Sequence, residues 1–173
     1  TRQGQACTAG SRVYIHEKIY DKVLNGAVEK LSKLKMGNAL DEKSDIGAII
    51  SEEQLKRTLY YMDIAKKNSS TKILHGGNQS KGGDYKDGFY YEPTLLSGLP
   101  VSSPVCQEEV FGPVACAIPF KSFDEVMESA NDTQFGLSAV LWTKDLSRAL
   151  QFVDEIEAGF VQVNQCVAPR ANV

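Results

Sequence analysis

The cysteine at position 7 is the residue of this chain best placed to do chemistry. It lies in the segment Gly4-Gln-Ala-Cys-Thr-Ala-Gly-Ser-Arg12, where small neighbours would let a ligand approach the sulfur. If a helical turn begins here, its amides and dipole would favour the thiolate, which is the nucleophilic form of the side chain. An unperturbed thiol has a pKa of about 8.5, so such activation matters at neutral pH. The residues by themselves leave two interpretations open, a nucleophile and a buried small side chain.

A second segment whose residues could take part in binding or catalysis lies far downstream, at Glu108-Glu-Val-Phe-Gly-Pro-Val114. Two adjacent carboxylates here precede an aromatic residue and a Gly-Pro turn. A carboxylate could accept hydrogen bonds from the hydroxyls of a ribose, and Phe111 could stack against a flat ring. The alternative interpretation is an acidic surface pair followed by a core phenylalanine.

Motifs for other chemistries are missing. The four cysteines lack the paired spacing of zinc ligands and there are only two histidines, so no metal site is predicted. Cys106 and Cys116 have apolar neighbours, which predicts packing roles, and the cysteine usage favours a reducing, cytoplasmic setting. The glycine-rich loop at 76–88 lacks the Lys and Ser/Thr that a phosphate-binding loop needs.

Composition excludes several function classes. The chain has 173 residues with 42% hydrophobic residues, enough for a core, and its formal net charge of −3 opposes a broad nucleic-acid surface. No apolar run approaches the roughly 20 residues of a membrane-spanning helix. A globular protein without nucleic-acid or membrane partners is therefore predicted.

The hydrophobic pattern alternates between strands and helices along most of the chain. Alternating apolar residues predict strands, and apolar residues three and four apart predict helices. Capping boxes that satisfy free amides at helix starts are predicted for Ser51 with Gln54 and for Ser122 with Glu125. The predicted strands are 11–16, 71–74, 89–96, 114–120, 137–142 and 159–163, and the predicted helices are 17–33, 52–67, 123–131 and 146–156. This order predicts one α/β domain over residues 1–173 with a largely parallel sheet.

Taken together, the motifs resemble the aldehyde dehydrogenase superfamily, in the same order and over essentially the whole chain. The Cys7 segment resembles that family's catalytic-cysteine signature, and Glu108-Glu-Val-Phe-Gly-Pro-Val114 resembles its cofactor-ribose motif. Later stretches also resemble the family, namely Asn131-Asp-Thr-Gln-Phe-Gly-Leu-Ser-Ala139, Trp142-Thr-Lys-Asp145 and Ala158-Gly-Phe-Val-Gln-Val-Asn164. The resemblance implies an open, twisted sheet with helices on both faces. Because both ends look cut, we expect a catalytic domain truncated at both ends and belonging to a longer protein.

The resemblance also implies roles for individual residues. Cys7 matches the nucleophile that attacks the aldehyde carbonyl, forming first a thiohemiacetal and then a thioester that water hydrolyses. Glu109 matches the carboxylate that holds the ribose on the nicotinamide side of NAD or NADP, with Phe111 beside the nicotinamide and Gln54 near the same ribose. Ala6, Thr8 and Val167 would line the aldehyde pocket. Pro169, near the far wall of that pocket, departs from the family pattern and leaves the substrate size open.

Some parts of the family's machinery are expected outside this chain. The general-base Glu, the oxyanion-hole Asn and the cofactor domain of the family all precede its cysteine signature, so the isolated chain should have little or no activity. A non-catalytic homologue and a coenzyme-A-acylating aldehyde dehydrogenase remain as alternatives. The parent protein is expected to be a homodimer or homotetramer. Neither the aldehyde nor the choice between NAD and NADP follows from the sequence, because residues near the adenine ribose make that choice.

Overall fold

The structure is a computed structural model and describes residues 2–165. The β-strands in these residues are β1 Arg12–His16, β2 Lys72–His75, β3 Gln79–Ser80, β4 Tyr90–Tyr91, β5 Thr94–Ser97, β6 Val114–Phe120, β7 Ser138–Leu141 and β8 Phe160–Val163. The α-helices are α1 Tyr20–Ser32, α2 Glu52–Lys67, α3 Pro104–Gln107, α4 Phe123–Asn131 and α5 Leu146–Glu155. Short 3₁₀ turns occupy Arg2–Gly4, Glu17–Ile19 and Gly83–Tyr85.

Four strands form the main sheet, in the order β1-β6-β5-β2. The pairs β1–β6 and β5–β6 are parallel, whereas β2 is an antiparallel edge strand beside β5. Two smaller sheets accompany it, the antiparallel pair β3–β4 and the parallel pair β7–β8. The predicted open α/β fold with a largely parallel sheet is confirmed. The strands β7 and β8, however, form a sheet of their own rather than extending the main one.

Helices cover both faces of the main sheet because neighbouring strand residues point in opposite directions. Leu95 and Ala117 pack with α1 in one buried cluster, to which Leu24 belongs. Leu96 and Cys116, each one residue away from those two, pack in a second cluster with α2. Cys106 is buried in this second cluster as well, which agrees with the packing roles predicted for both thiols.

Both predicted capping serines are confirmed. The Ser51 hydroxyl accepts from the backbone N–H of Gln54, and the Ser122 hydroxyl accepts from that of Glu125, each at 3.2 Å. The carboxylate of Glu125 accepts from the N–H of Lys121 at 2.9 Å, just before the helix. The reciprocal part of the first box was wrong, because the Gln54 side chain turns away from its own helix and serves a different segment.

The short elements were not predicted. The pair β3–β4 and the turn Gly83–Tyr85 lie in or beside the segment 76–88, which the sequence predicted as a polar loop. The predicted extended segment 89–96 is divided into β4 and β5 by Glu92 and Pro93. Helix α3 is a single turn that starts with Pro104 at its first position, where the missing N–H costs no hydrogen bond. Within residues 2–165, no helix has both the length and the hydrophobicity needed to cross a membrane.

Candidate functional site

Cys7 lies in a tight turn between the first 3₁₀ turn and β1. The carbonyl of Ala6 accepts a hydrogen bond from the N–H of Ala9 at 2.9 Å, so Cys7 and Thr8 are the two central residues of that turn. The chain continues into β1 rather than into a helix, so the condition for a favourable helix dipole at the thiol is not met. The Cys7 thiol is exposed, which contradicts the interpretation of a buried packing residue. Ala6 and Thr8 on either side are half-buried.

Gly4 brings the cysteine segment against the acidic-aromatic segment. Its φ is +68°, and a Cβ at this position would overlap the carbonyl oxygen of Gly112. On its other side Gly112 touches α2, because a Cβ there would lie 2.6 Å from the Thr58 hydroxyl oxygen. Because glycine has no side chain, the backbone of Gly4 can lie directly on that of Gly112, and the backbone of Gly112 directly on helix α2. Since Gly4 is three residues before Cys7 and Gly112 three after Glu109, the two predicted motifs meet just before the parallel strands β1 and β6.

The cysteine segment is also tied to the start of α2. The side-chain oxygen of Gln5 accepts a hydrogen bond from the backbone N–H of Ile50 at 3.0 Å. Ile50 lies immediately before the capping residue Ser51. Helix α2 is therefore the element that both predicted motifs share as a support.

Gln54 contacts the acidic-aromatic segment through its side chain. Its amide nitrogen donates to the carbonyls of Val110 at 3.0 Å and Phe111 at 2.8 Å. Phe111 has φ +54°, a left-handed conformation that is costly for a residue with a Cβ. The amide of Gln54 helps to hold this conformation, and its oxygen is not used in these contacts.

Two further α2 residues hold the glutamates, and the sequence analysis missed both. Arg57 donates to the carbonyl of Glu109 from Nε at 3.1 Å and from Nη2 at 2.6 Å. The Tyr61 hydroxyl donates to the Glu108 carboxylate at 2.8 Å. Burial, and then this hydrogen bond, raise the pKa of Tyr61 to about 12. The spacing of Gln54, Arg57 and Tyr61 along one helix face was the available signal, but nothing local pointed to partners some fifty residues away.

The two adjacent glutamates differ in their surroundings. The Glu108 carboxylate is engaged by Tyr61, whereas the Glu109 carboxylate has no hydrogen bond or ion pair within residues 2–165 and lies exposed. Phe111, two residues further on, is half-buried. A carboxylate and an aromatic ring on a segment that contacts the segment of an exposed thiol could hold a hydroxylated, flat-ringed ligand beside a nucleophile.

Some predicted features fall elsewhere. Val167 and Pro169, predicted at the substrate pocket, lie outside the described residues. Across residues 2–165, no group of three or more His, Cys, Asp and Glu side chains is arranged to hold a metal ion.

Comparisons with known proteins converge on one family. The sequence model of the "Aldehyde dehydrogenase family" matches residues 1–173. An aldehyde dehydrogenase of Rhodospirillum rubrum is 40% identical over 162 residues, which is 94% of this chain and 32% of the relative. A D-glyceraldehyde dehydrogenase (NADP(+)) of Picrophilus torridus is 41% identical over 162 residues, which is 93% of this chain and 32% of the relative. The chain thus spans about a third of the length of these curated relatives.

A solved structure gives the same match in three dimensions. The crystal structure of a betaine aldehyde dehydrogenase from Staphylococcus aureus in complex with NAD+ superposes with a TM-score of 0.91 at 34% identity. The match covers 95% of this chain and 32% of that one. The fold described above is therefore found in an experimentally determined structure.

Proposed function

Because this chain belongs to the aldehyde dehydrogenase family, we propose that it is the cysteine-bearing catalytic part of a longer NAD(P)-dependent aldehyde dehydrogenase. The observation that carries the proposal is the contact of Gly4 with Gly112, which joins the segment of the exposed Cys7 to the segment of Glu109, whose carboxylate is unpaired within residues 2–165. A nucleophile and a holder for a dinucleotide must be neighbours if a carbon bound to the sulfur is to lose a hydride.

Cys7 carries the covalent chemistry in this proposal. Its thiolate attacks the aldehyde carbonyl, a sulfur–carbon bond forms, and the carbonyl oxygen becomes an oxyanion that the Cys7 backbone N–H helps to stabilise. The carbon then loses a hydride, with its two electrons, as the carbonyl re-forms and leaves a thioester on Cys7. Water attacks the thioester, which releases the carboxylic acid and returns the thiol.

Glu109 and Phe111 would hold the nicotinamide cofactor, which accepts the hydride when bound. The unpaired Glu109 carboxylate fits the hydroxyls of a ribose, and the aromatic ring of Phe111 fits a position beside a flat heterocycle. Gln54 donates its amide nitrogen to the protein backbone, which leaves its amide oxygen for the ribose. One relative is named for NADP(+) and one solved structure contains NAD+, so both cofactors are candidates.

The substrate is proposed as a small-molecule aldehyde, whose size stays open. Ala6 and Thr8 flank the nucleophile and would line the aldehyde entrance, with Val167 beyond them. The matching relatives are named for different aldehydes, glyceraldehyde and betaine aldehyde among them, so the family match supports the class of substrate. A cytoplasmic location and a homodimeric or homotetrameric assembly stay predictions.

The 173-residue chain is proposed to be inactive alone. The resemblance places the general base for thioester hydrolysis and a second oxyanion donor upstream of Cys7. The thioester would then lack an activated water, and dinucleotide binding would depend on Glu109 and Phe111 without a cofactor domain. Turnover by the 173-residue chain at a rate near that of the longer protein would contradict this part of the proposal.

The deciding experiment measures NADH or NADPH formation by absorbance, with a panel of small aldehydes. It compares the longer protein, its Cys7→Ser variant and a Cys116→Ala variant, which removes a thiol that is buried inside strand β6. Loss of turnover in Cys7→Ser alone supports the proposal, and formation of an acyl thioester only when coenzyme A is added would indicate the acylating chemistry. No turnover with either dinucleotide, with or without coenzyme A, would indicate a non-catalytic homologue.

A further inference from the structure

Helix α2 presents three hydrogen-bonding side chains along one face. Gln54, Arg57 and Tyr61 are spaced three and four residues apart, so they point in the same direction. We call them the α2 stripe. All three reach the same short segment, residues 108–111, on the neighbouring loop.

The α2 stripe grips this segment residue by residue. Tyr61 holds the side chain of Glu108, Arg57 holds the carbonyl of Glu109, and Gln54 holds the next two carbonyls. Within residues 2–165, the Glu109 carboxylate is the one side-chain polar group of residues 108–111 without a partner. Helix α2 thus binds the Glu108 side chain and the backbone of the segment, and it leaves the Glu109 carboxylate free for a ligand.

Hydrogen-bond directions inside the stripe make it a single network. Arg57 Nη2 donates to the Tyr61 hydroxyl oxygen at 3.2 Å, and the guanidinium lies 5.3 Å from the centre of the Tyr61 ring. A guanidinium has donors only, so the hydroxyl must accept from Arg57 and direct its own proton to Glu108. Tyr61 is only 2% exposed, whereas its two partners Arg57 and Glu108 are exposed. Removing Glu108 therefore leaves the buried Tyr61 hydroxyl without its acceptor, and removing that hydroxyl costs Glu108 and Arg57 one hydrogen bond each.

We propose that the α2 stripe is a positioning device for the cofactor site, in which Arg57, Tyr61 and Glu108 act on the dinucleotide only by holding the backbone that carries Glu109. The inference rests on the proposed function, since it takes Glu109 to bind a ribose. It divides the labour between the adjacent glutamates: Glu108 anchors the loop and Glu109 meets the ligand. A loop that is fixed before binding loses less conformational freedom when the ligand arrives, so these residues should set cofactor affinity.

The test is a double-mutant cycle on cofactor affinity in the longer protein. Tyr61→Phe and Glu108→Ala each remove the same hydrogen bond and should each raise the KM for NAD or NADP about tenfold. The double variant should be no worse than either single one, because the shared bond can be lost only once. The KM for the aldehyde should stay unchanged. Glu108→Gln keeps an oxygen acceptor for the Tyr61 hydroxyl and should restore most of the affinity.

Two further variants serve as controls. Tyr60→Phe changes the neighbouring tyrosine, which is exposed and outside the stripe, and should behave as wild type. Glu109→Ala removes the carboxylate that is proposed to contact the ribose and should weaken cofactor binding more than any stripe variant. Multiplicative effects of Tyr61→Phe and Glu108→Ala, a fall in kcat with unchanged KM, or a Glu108→Ala defect equal to that of Glu109→Ala would each overturn the inference.

Direct binding separates this inference from the proposed function. The Kd for NADH or NADPH, followed by its fluorescence, should show the same cycle as KM. A wild-type protein that binds a dinucleotide but oxidises no aldehyde would contradict the proposed function, and the cycle in Kd would still decide the role of the stripe. A wild-type protein that binds neither dinucleotide would overturn both.

Discussion

Two regions of the molecule differ in how they bury similar apolar residues. One is the main sheet with its helices, and the other is the β7–β8 unit, residues 133–165. Around the main sheet, Leu96 is 0% exposed and Met62 1%, inside a cluster built from strands and α2. In the β7–β8 unit, Phe152 is the one buried side chain, although the unit is rich in large apolar residues. Those that are exposed are Phe135, Leu137, Trp142, Leu146, Leu150, Val153 and Phe160.

Asn131 of α4 joins the two regions by hydrogen bonds. The side chain of Asn131 donates to the carbonyl of Glu155 at 2.9 Å and accepts from the N–H of Glu157 at 3.0 Å. Such bonds fix an orientation but bury little apolar surface, and apolar burial is the main favourable term in folding. The comparison teaches that the free energy of unfolding of this chain depends mainly on the main sheet and its helices. The candidate site belongs to that stable region.

The largest expected effect comes from truncating the same residue type in each region. Leu96→Ala should lower the free energy of unfolding by about 2–5 kcal/mol, because it opens a cavity in a fully buried cluster. Leu150→Ala, at a side chain that is 63% exposed, should change it by no more than about 0.5 kcal/mol. Urea unfolding of the 173-residue chain measures both. Equal losses for the two leucines would mean that the β7–β8 unit shares a common core with the main sheet.

A second pair of variants adds a methyl group instead of removing atoms. Gly112→Ala would place a Cβ against the Thr58 hydroxyl beneath the site and should cost about 2 kcal/mol through overpacking. Gly159→Ala has ordinary contacts, the nearest at 3.8 Å, and should leave stability unchanged or raise it slightly. Thermal unfolding of both variants checks the difference. If Gly112→Ala is as stable as Gly159→Ala, the close contact of loop and helix is not required.

Much of the stable region could be predicted from the sequence because its signals are local. The apolar spacing of α1 and α2, the run that forms β6 and the capping serines all depend on residues within a few positions of one another. The Cys7 and Glu109 motifs were recognisable for the same reason. Their meeting depends on glycines at positions 4 and 112, whose role is visible only once the chain is folded.

What could not be predicted depends on distant partners. The β7 and β8 strands carry the same alternation as the core strands, and alternation does not say which sheet a strand joins. Arg57 and Tyr61 read as solvent-facing or core residues of a helix until the loop at 108–111 is placed beside them. The left-handed Phe111 contradicts its own preference and is held by these contacts, which is typical of functional sites.

Alkaline pH should lower the stability of the main-sheet region and not that of the β7–β8 unit, because residues 133–165 contain no tyrosine. The pKa of Tyr61 is raised to about 12 in the folded chain, mainly by burial, so folding favours its neutral form. This preference contributes fully to the free energy of unfolding below pH 10, and the contribution is lost as the pH rises from 10 through 12. The loss is about 1 kcal/mol at pH 11. Urea unfolding between pH 8 and 12 should show this loss, reduced in Tyr61→Phe.

The controls for this profile lie in the same helix and the same core. Tyr60→Phe, at an exposed neighbour, should leave the profile as in wild type. Burial also raises the pKa of Tyr91, so Tyr61→Phe should remove one step of the alkaline loss and not all of it. An identical profile for wild type and Tyr61→Phe would show that the Tyr61 hydroxyl is not held in its neutral form by the fold.

The smallest effect is expected at Asn164, which closes the end of the β7–β8 unit. Its side chain accepts from the N–H of Thr143 at 2.9 Å and donates to the Thr143 carbonyl at 2.8 Å, while its φ is +55°. Asn164→Ala should lose both bonds and strain the backbone, but the bonds are exposed to solvent, so the cost is about 0.5 kcal/mol. We expect the unit to open separately from the core, so faster amide hydrogen exchange should be confined to residues 138–165. Asn164→Gly tolerates the positive φ and isolates the loss of the bonds, and faster exchange in β5 or β6 in either variant would show that the two regions unfold as one.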